Sequence, residues 1–198
     1  MPELALISPD LRGRADSFEV IGTSDIARHV EDMVAVLDEL GHDSVHVCGM
    51  SMGGFVGVAL AVLHPDRVRT LTLVDGGFPM PIPPGLTADN APTALADRYA
   101  RLEREWDSVE AYRDLFVGTT APLLDGDDPV LLDYLRHDLR DIKVRLSAQI
   151  VTEDAVEVFF GKEYWRDLNQ HSLAVPTRML VAEWAPLLVE YERVPGDS

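Results

Sequence analysis

The stretch SVHVCGMSMGGFVGVALAVLHPDRVRTLTLVDGG, residues 44–77, changes character three times with almost no connecting residues. SVHVCG alternates valines with smaller or polar residues, the two-residue period of a strand. After Gly49-Met50-Ser51-Met52-Gly53 the chain reads GFVGVALAVLH, long and apolar enough for a helix, until Pro65 ends it. RVRTLTLVDGG then returns to strand. A strand, a helix and a strand joined this tightly predict neighbouring parallel strands with a right-handed crossover.

The turn that makes the first switch fits G-x-S-x-G between a strand and a helix, the context in which a serine is lifted clear of a sheet. Packing strand against helix across such a turn leaves no room for side chains, which predicts that Gly49 and Gly53 are required for their size. The following helix would aim its unpaired N–H groups and partial positive charge at the same place. Ser51 is therefore the candidate nucleophile, and the Met52 amide a candidate donor to an oxyanion.

Upstream, Ile26, Val30, Met33, Val34, Leu37 and Leu40 recur at helical spacing, with Ser24 as the expected N-cap and Gly41 as the stop. ELALISP, residues 3–9, reads as a short strand closed by Pro9, and DLRGRADS after it as a polar loop. Downstream, FPMPIPPG (78–85) places four prolines in the six residues 79–84 and breaks the alternation. From about residue 90 to 169 the periodicity is helical, after which VPTRMLVAEW (175–184) and LLVEYERVPG (187–196) read as strands. The expected organisation is a core of residues 1–77 and 173–198 interrupted by an all-helical insertion over 78–172.

Thirty-four acidic residues against 17 Lys and Arg give a formal net charge of −17, which excludes nucleic acid and anionic lipid surfaces as natural partners. No apolar run approaches the roughly 18–20 residues of a bilayer span, and the N-terminus lacks the pattern of a signal peptide, so the expected location is cytoplasmic. The one cysteine, Cys48, excludes an internal disulfide and a multi-thiolate metal site; its strand context predicts a buried small side chain.

ISPDLRGRADS, the serine turn with its flanking strands, and VPTRMLVAEW together resemble the α/β-hydrolase superfamily over about residues 4–77 and 174–196. The proline-rich step into a helical insertion resembles the cap of its lipase, esterase and epoxide-hydrolase-like members. The resemblance implies an α/β-hydrolase fold, with a mostly parallel sheet of reduced strand count and the cap inserted. It implies acyl transfer to water from Ser51, because members that act on epoxides or haloalkanes carry aspartate at this turn. The implied partner is a small-molecule ester with a small to medium apolar acyl group, and no metal or organic cofactor is implied. For the acid of a triad two positions stay open: Asp75, which closes RTLTLVD where a minority of the family places it, and Glu183, which closes TRMLVAE where most do and is slightly favoured.

The family's catalytic histidine follows its final strand, whereas His29, His42, His46, His64, His137 and His171 all precede the last two strands expected here. His46 reads as a core residue, His64 as a helix C-terminal residue, and His137 and His171 as surface residues. The family's second oxyanion N–H comes from a loop before the equivalent of LALISPD, and only three residues precede that segment. The expectation is a chain truncated at both ends whose base lies outside it. The alternative is a catalytically impaired fragment acting as a binding or assembly module, in which exposed sheet edges predict a homo-oligomer. A lyase or cofactor-independent oxygenase of the same fold is a weaker third reading and needs the same histidine.

Overall fold

The computed structural model describes residues 5–20, 22–79, 81–99, 103–120, 125–161 and 173–181. In chain order it forms α1 (Ile26–Glu39), β1 (Val45–Met50), α2 (Met52–Leu63), β2 (Val68–Val74), α3 (Ala91–Tyr99), α4 (Val109–Thr120), α5 (Pro129–Asp138), β3 (Leu139–Arg140), β4 (Lys143–Val144), α6 (Ala148–Phe160) and β5 (Thr177–Leu180). It divides into two compact units, one of residues 1–32 and 79–162 and one of residues 33–78 and 163–198.

The second unit is built on a parallel sheet in the order β1-β2-β5. Two-residue periodicity sends Val47, Gly49, Leu71 and Leu73 to one face, which α2 covers. Helix and sheet approach closely because residue 57 is glycine: a Cβ there would meet Leu71 Cδ1 at 3.0 Å and Val47 Cγ1 at 3.3 Å. From Gly54 to Ala61 the helix is buried on all sides, which is why it is apolar all round rather than striped.

His46, Cys48 and Met50 point to the other face and are exposed, Met50 at 69%. Two expectations fail here: Cys48 is not a buried side chain, and His46 is not in the core but hydrogen-bonds Thr70 Oγ1 through Nδ1 at 2.8 Å on the open face. The reason is register. The valines of Val45-His46-Val47 take the helix-covered side, so every residue in phase with His46 must take the other.

The first unit has its own apolar cluster of Trp106, Tyr112, Leu135, Leu139 and Val144. The insertion is not wholly helical, because β3 and β4 form an antiparallel pair with Leu139 opposite Val144 and Arg140 opposite Lys143. Asp141 and Ile142 between them have φ of 50° and 59°, the left-handed pair that a two-residue hairpin turn demands. A β-branched isoleucine is among the least suited residues for that conformation, so the sequence carries no turn signal there.

Residues 5–9 form no strand, contrary to the reading of ELALISP. Apolar pattern alone makes no strand without a partner ladder, and the described parallel sheet pairs only β1, β2 and β5. LLVEYERVPG lies outside the described residues. The helix predicted from Ser24 is α1, and Gly41, at φ +70°, ends it as expected. Its cap is Asp25 instead of Ser24, since Asp25 Oδ1 accepts from the Arg28 amide at 2.7 Å. Among the described residues no helix is long and apolar enough to cross a membrane.

Candidate active site

Ser51 joins the end of β1 to the start of α2 with φ 47° and ψ −115°, a strained conformation for a residue with a side chain. Two backbone hydrogen bonds hold it there: its N–H donates to Val74 O at 2.9 Å, and its carbonyl accepts from the Gly54 N–H at 2.9 Å. The side chain is exposed. Met52, as the first residue of α2, has an N–H with no intrahelical acceptor, which is the property an oxyanion donor needs.

The glycines around the turn differ from the simple expectation. A Cβ at Gly49 would stand 2.1 Å from Gly53 O and 2.8 Å from Gly54 N, so residue 49 cannot carry a side chain without moving backbone. A Cβ at Gly53 would meet nothing within 4 Å. Gly53 is thus not required for its own size; the crowded second position is Gly54, whose Cβ would lie 2.7 Å from the Gly76 carbonyl carbon.

The doublet Gly76-Gly77 is the part of the turn that sequence reasoning missed. A Cβ at Gly76 would stand 2.3 Å from Ser51 O and 2.6 Å from Ser51 Cα, and Gly77, at φ +83°, packs on the Gly54 carbonyl. The strand after the serine therefore supplies the wall that holds the serine's backbone. The only signal available was the paired glycine directly after the strand in LVDGG.

Asp75 lies between these walls, exposed, with φ 48° and its N–H donating to Leu180 O at 2.9 Å. Its backbone is thereby fixed at the end of β2, next to the strand that carries Ser51. Glu183, the other candidate acid, and His171 lie outside the described residues.

Three of the described histidines, His29, His46 and His137, have ring partners other than Ser51. His46 bonds Thr70, His64 is the C-cap of α2, and the exposed His137, in the last turn of α5, has Nε2 3.2 Å from Asp10 Oδ2. His42 follows α1, and its carbonyl accepts from Arg67. Among the described residues none of these rings shares a hydrogen bond with Ser51.

His29 is fully buried in the first unit. Its Nε2 lies 3.0 Å from Asp154 Oδ1 and 3.2 Å from Ser24 Oγ; Ser24 Oγ donates to the same Oδ1 at 2.6 Å, and Arg14 donates to Oδ2 at 2.7 Å. Burial works to raise the Asp154 carboxyl, but its contacts with His29, Arg14 and Ser24 outweigh it and hold the group below the usual carboxylate range. An ionised carboxylate only accepts, so in the neutral ring the hydrogen sits on Nε2, and Nδ1 is left buried without a partner among the described residues.

One surface trio could in principle ligate a metal: Asp10, Asp16 and His137 have ligand atoms within 4.8 Å of one another. Arg140 already pairs with Asp16, and His137 Nε2 is within hydrogen-bond distance of Asp10, so each member of the trio already has a partner. Of the aromatic residues in the insertion, Trp106 and Tyr112 are 5% exposed and pack in the apolar cluster of the first unit. Tyr112 also donates to Asp138, whose carboxyl is raised by burial.

A family model described as alpha/beta hydrolase fold matches residues 3–190. The chain belongs to this family. Among curated proteins it is similar to a 2-hydroxymuconate semialdehyde hydrolase of Pseudomonas putida, with 41% identity over 83 residues, 41% of this chain and 30% of that protein. Among solved structures it superimposes on E-2-(acetamidomethylene)succinate hydrolase with a TM-score of 0.67 at 16% identity, covering 91% of this chain and 64% of that one. A thermophilic esterase from Thermogutta terrifontis gives a TM-score of 0.62 at 23% identity, covering 90% of this chain and 61% of that one. At these identities the structural likeness establishes the fold. The chain spans less than two thirds of the length of each of these relatives.

Proposed function

We propose that the protein is a serine hydrolase in which Ser51 attacks the carbonyl of a small-molecule carboxylic ester and the Met52 amide stabilises the resulting oxyanion. The observation that carries this reading is the strained, exposed Ser51 at the start of α2, its backbone enclosed by Gly49, Gly54 and Gly76. A fold gains nothing from holding a serine at φ 47° in a left-handed region, and strain of this kind clusters where chemistry is done. The relatives described as hydrolases and as an esterase support water as the acceptor.

In this reading Asp75 or Glu183 orients a histidine that takes the serine proton, and that histidine lies outside the described residues. The alcohol leaves with the proton returned to it, and water then cleaves the acyl-serine by the same base. In the same reading residues 78–172 are the cap segment and residues 1–77 and 173–198 the core segments.

The placement of the described histidines supports a second reading. With the rings of His29, His46 and His137 each bonded to other partners, and His64 at the opposite end of α2 from Ser51, the chain by itself can keep the turn as inherited architecture and serve as a binding or assembly module. Labelling the 198-residue chain with a fluorophosphonate and locating the adduct by mass spectrometry separates the two. An adduct on Ser51 that disappears in Ser51→Ala, with no adduct on Ser24, supports the hydrolase; no adduct on a folded chain supports the module. Asp75→Asn and Glu183→Gln then separate the two acids, since only the true partner lowers the labelling rate.

A further inference from the structure

We propose that the cleft beside β3 and β4 in the first unit binds a small, singly charged carboxylate with an apolar body, held by Arg145. The cleft has a volume of about 510 Å3 and is walled by Phe18, Val144 and Leu146 as well as by charged groups. Its three cations differ in one respect. Arg140 pairs with Asp16 and Lys143 with Glu105, but Arg145 makes no ion pair among the described residues, and its Nε is buried with no acceptor.

A chain with twice as many acids as bases could easily have placed a carboxylate against Arg145, so an unmatched guanidinium calls for a reason. Its root is fixed from both sides, because the Arg145 N–H donates to Asp138 O at 2.9 Å and its carbonyl accepts from the Ala15 N–H at 2.7 Å. Its head lies 5.5 Å from the centre of the Phe18 ring. The backbone that carries the fork is fixed, and the geometry of a guanidinium matches the two oxygens of a carboxylate.

The charge of the ligand follows from the rest of the lining. Glu19, Glu103 and Asp141 are exposed on the same cleft and repel a dianion more than a monoanion, while Arg145, with no ion pair among the described residues, can match one negative charge. This inference is independent of the reading of Ser51.

Benzoate is the probe, with benzamide as its neutral counterpart and phthalate as its dianion, each titrated into the 15N-labelled full chain while amide resonances are followed. Benzoate is expected to shift the amides of Phe18 and residues 144–147 with a dissociation constant on the order of millimolar. Benzamide is expected to leave them in place, and phthalate to bind more weakly. Arg145→Met should weaken benzoate binding by about tenfold or more, and Arg145→Lys, which keeps the charge but not the fork, by less. Glu103→Gln, which removes a repelling charge without touching Arg145, should tighten it. Equal shifts with benzamide, shifts confined to another part of the molecule, or undiminished binding by a folded Arg145→Met chain would each overturn the proposal. Should Arg145→Met fail to fold, the three-ligand comparison and Glu103→Gln decide the matter.

Discussion

Among the described residues the molecule holds a serine turn with no histidine bonded to it and, in the other unit, a serine, a histidine and an aspartate in contact without a turn. Around Ser51 the backbone is strained, the side chain is exposed, and the enclosing atoms are backbone. Around Asp154 the side chains are buried and the carboxylate accepts from three of them. The second set has the residue types of a catalytic triad but not its connectivity. A triad uses both ring nitrogens of the histidine, one toward the acid and one toward the serine. Here Ser24 and Asp154 both meet Nε2, and Nδ1 meets nothing. Chemistry requires a line of proton donors and acceptors; the buried cluster is a knot, which suits holding α1, α6 and the loop of Arg14 together.

The largest expected effect separates the two regions by what fills them. Gly49→Ala forces a methyl to 2.1 Å from backbone that cannot swing aside, which should destabilise the chain by more than about 3 kcal/mol or prevent its folding. Urea unfolding read by circular dichroism measures it; a loss below about 1 kcal/mol would mean the turn is not closed as described.

Asp154→Ala comes next, leaving Arg14 facing a buried gap at a cost of roughly 3–5 kcal/mol. The same carboxyl predicts a pH dependence. Its folded-state value is depressed, so its contribution is full above the unfolded value of about 4 and is lost as pH falls through the folded one. The Asp154→Ala chain should therefore show a smaller drop in stability between pH 5 and pH 2 than the parent, roughly matching the linkage expected for one carboxyl. Equal slopes would show that Asp154 titrates alike in folded and unfolded chains.

Much of the second unit was legible because its determinants are local. The strand, turn, helix and strand of residues 44–77 follow from period and from glycine and proline positions alone, and Ser51 from its place among them. The knot was not legible, because Arg14 and Asp154 are 140 residues apart and nothing in either neighbourhood names the other. Ser24 was misread for the same reason: it looks like a cap, and Asp25 beside it is one, because a distant carboxylate takes the serine hydroxyl. The β3–β4 hairpin escaped notice through Ile142, a residue that turn chemistry disfavours. The open sheet face that exposes Cys48 depends on what covers it, which a strand's own pattern does not record.

Strain sharpens the comparison with a sign. Ser51→Gly removes the side chain that makes φ 47° costly and should stabilise the fold by about 1 kcal/mol while abolishing any reaction at that position. Ser24→Gly removes the hydroxyl that donates to a buried carboxylate and should destabilise by about 1.5–3 kcal/mol. Two serine-to-glycine changes with opposite signs would establish that the first serine is held against its preference and the second in accord with it. Destabilisation by both would remove the energetic argument for a functional role of Ser51.

The smallest expected effect is Gly53→Ala, and it tests the reading of G-x-S-x-G most directly. If the second glycine of the pattern were needed for its size, alanine there would be as damaging as at Gly49. The open space around its Cβ instead predicts a change within about 0.5 kcal/mol of zero, since alanine also favours the first turn of α2. Gly54→Ala, one residue further, brings a methyl to 2.7 Å from the Gly76 backbone and should behave like Gly49→Ala. A tolerant Gly53 beside an intolerant Gly54 would place the steric demand on the contact between the two glycine doublets. The reverse order would mean that α2 sits closer to β1, and further from Gly76-Gly77, than the structure has it.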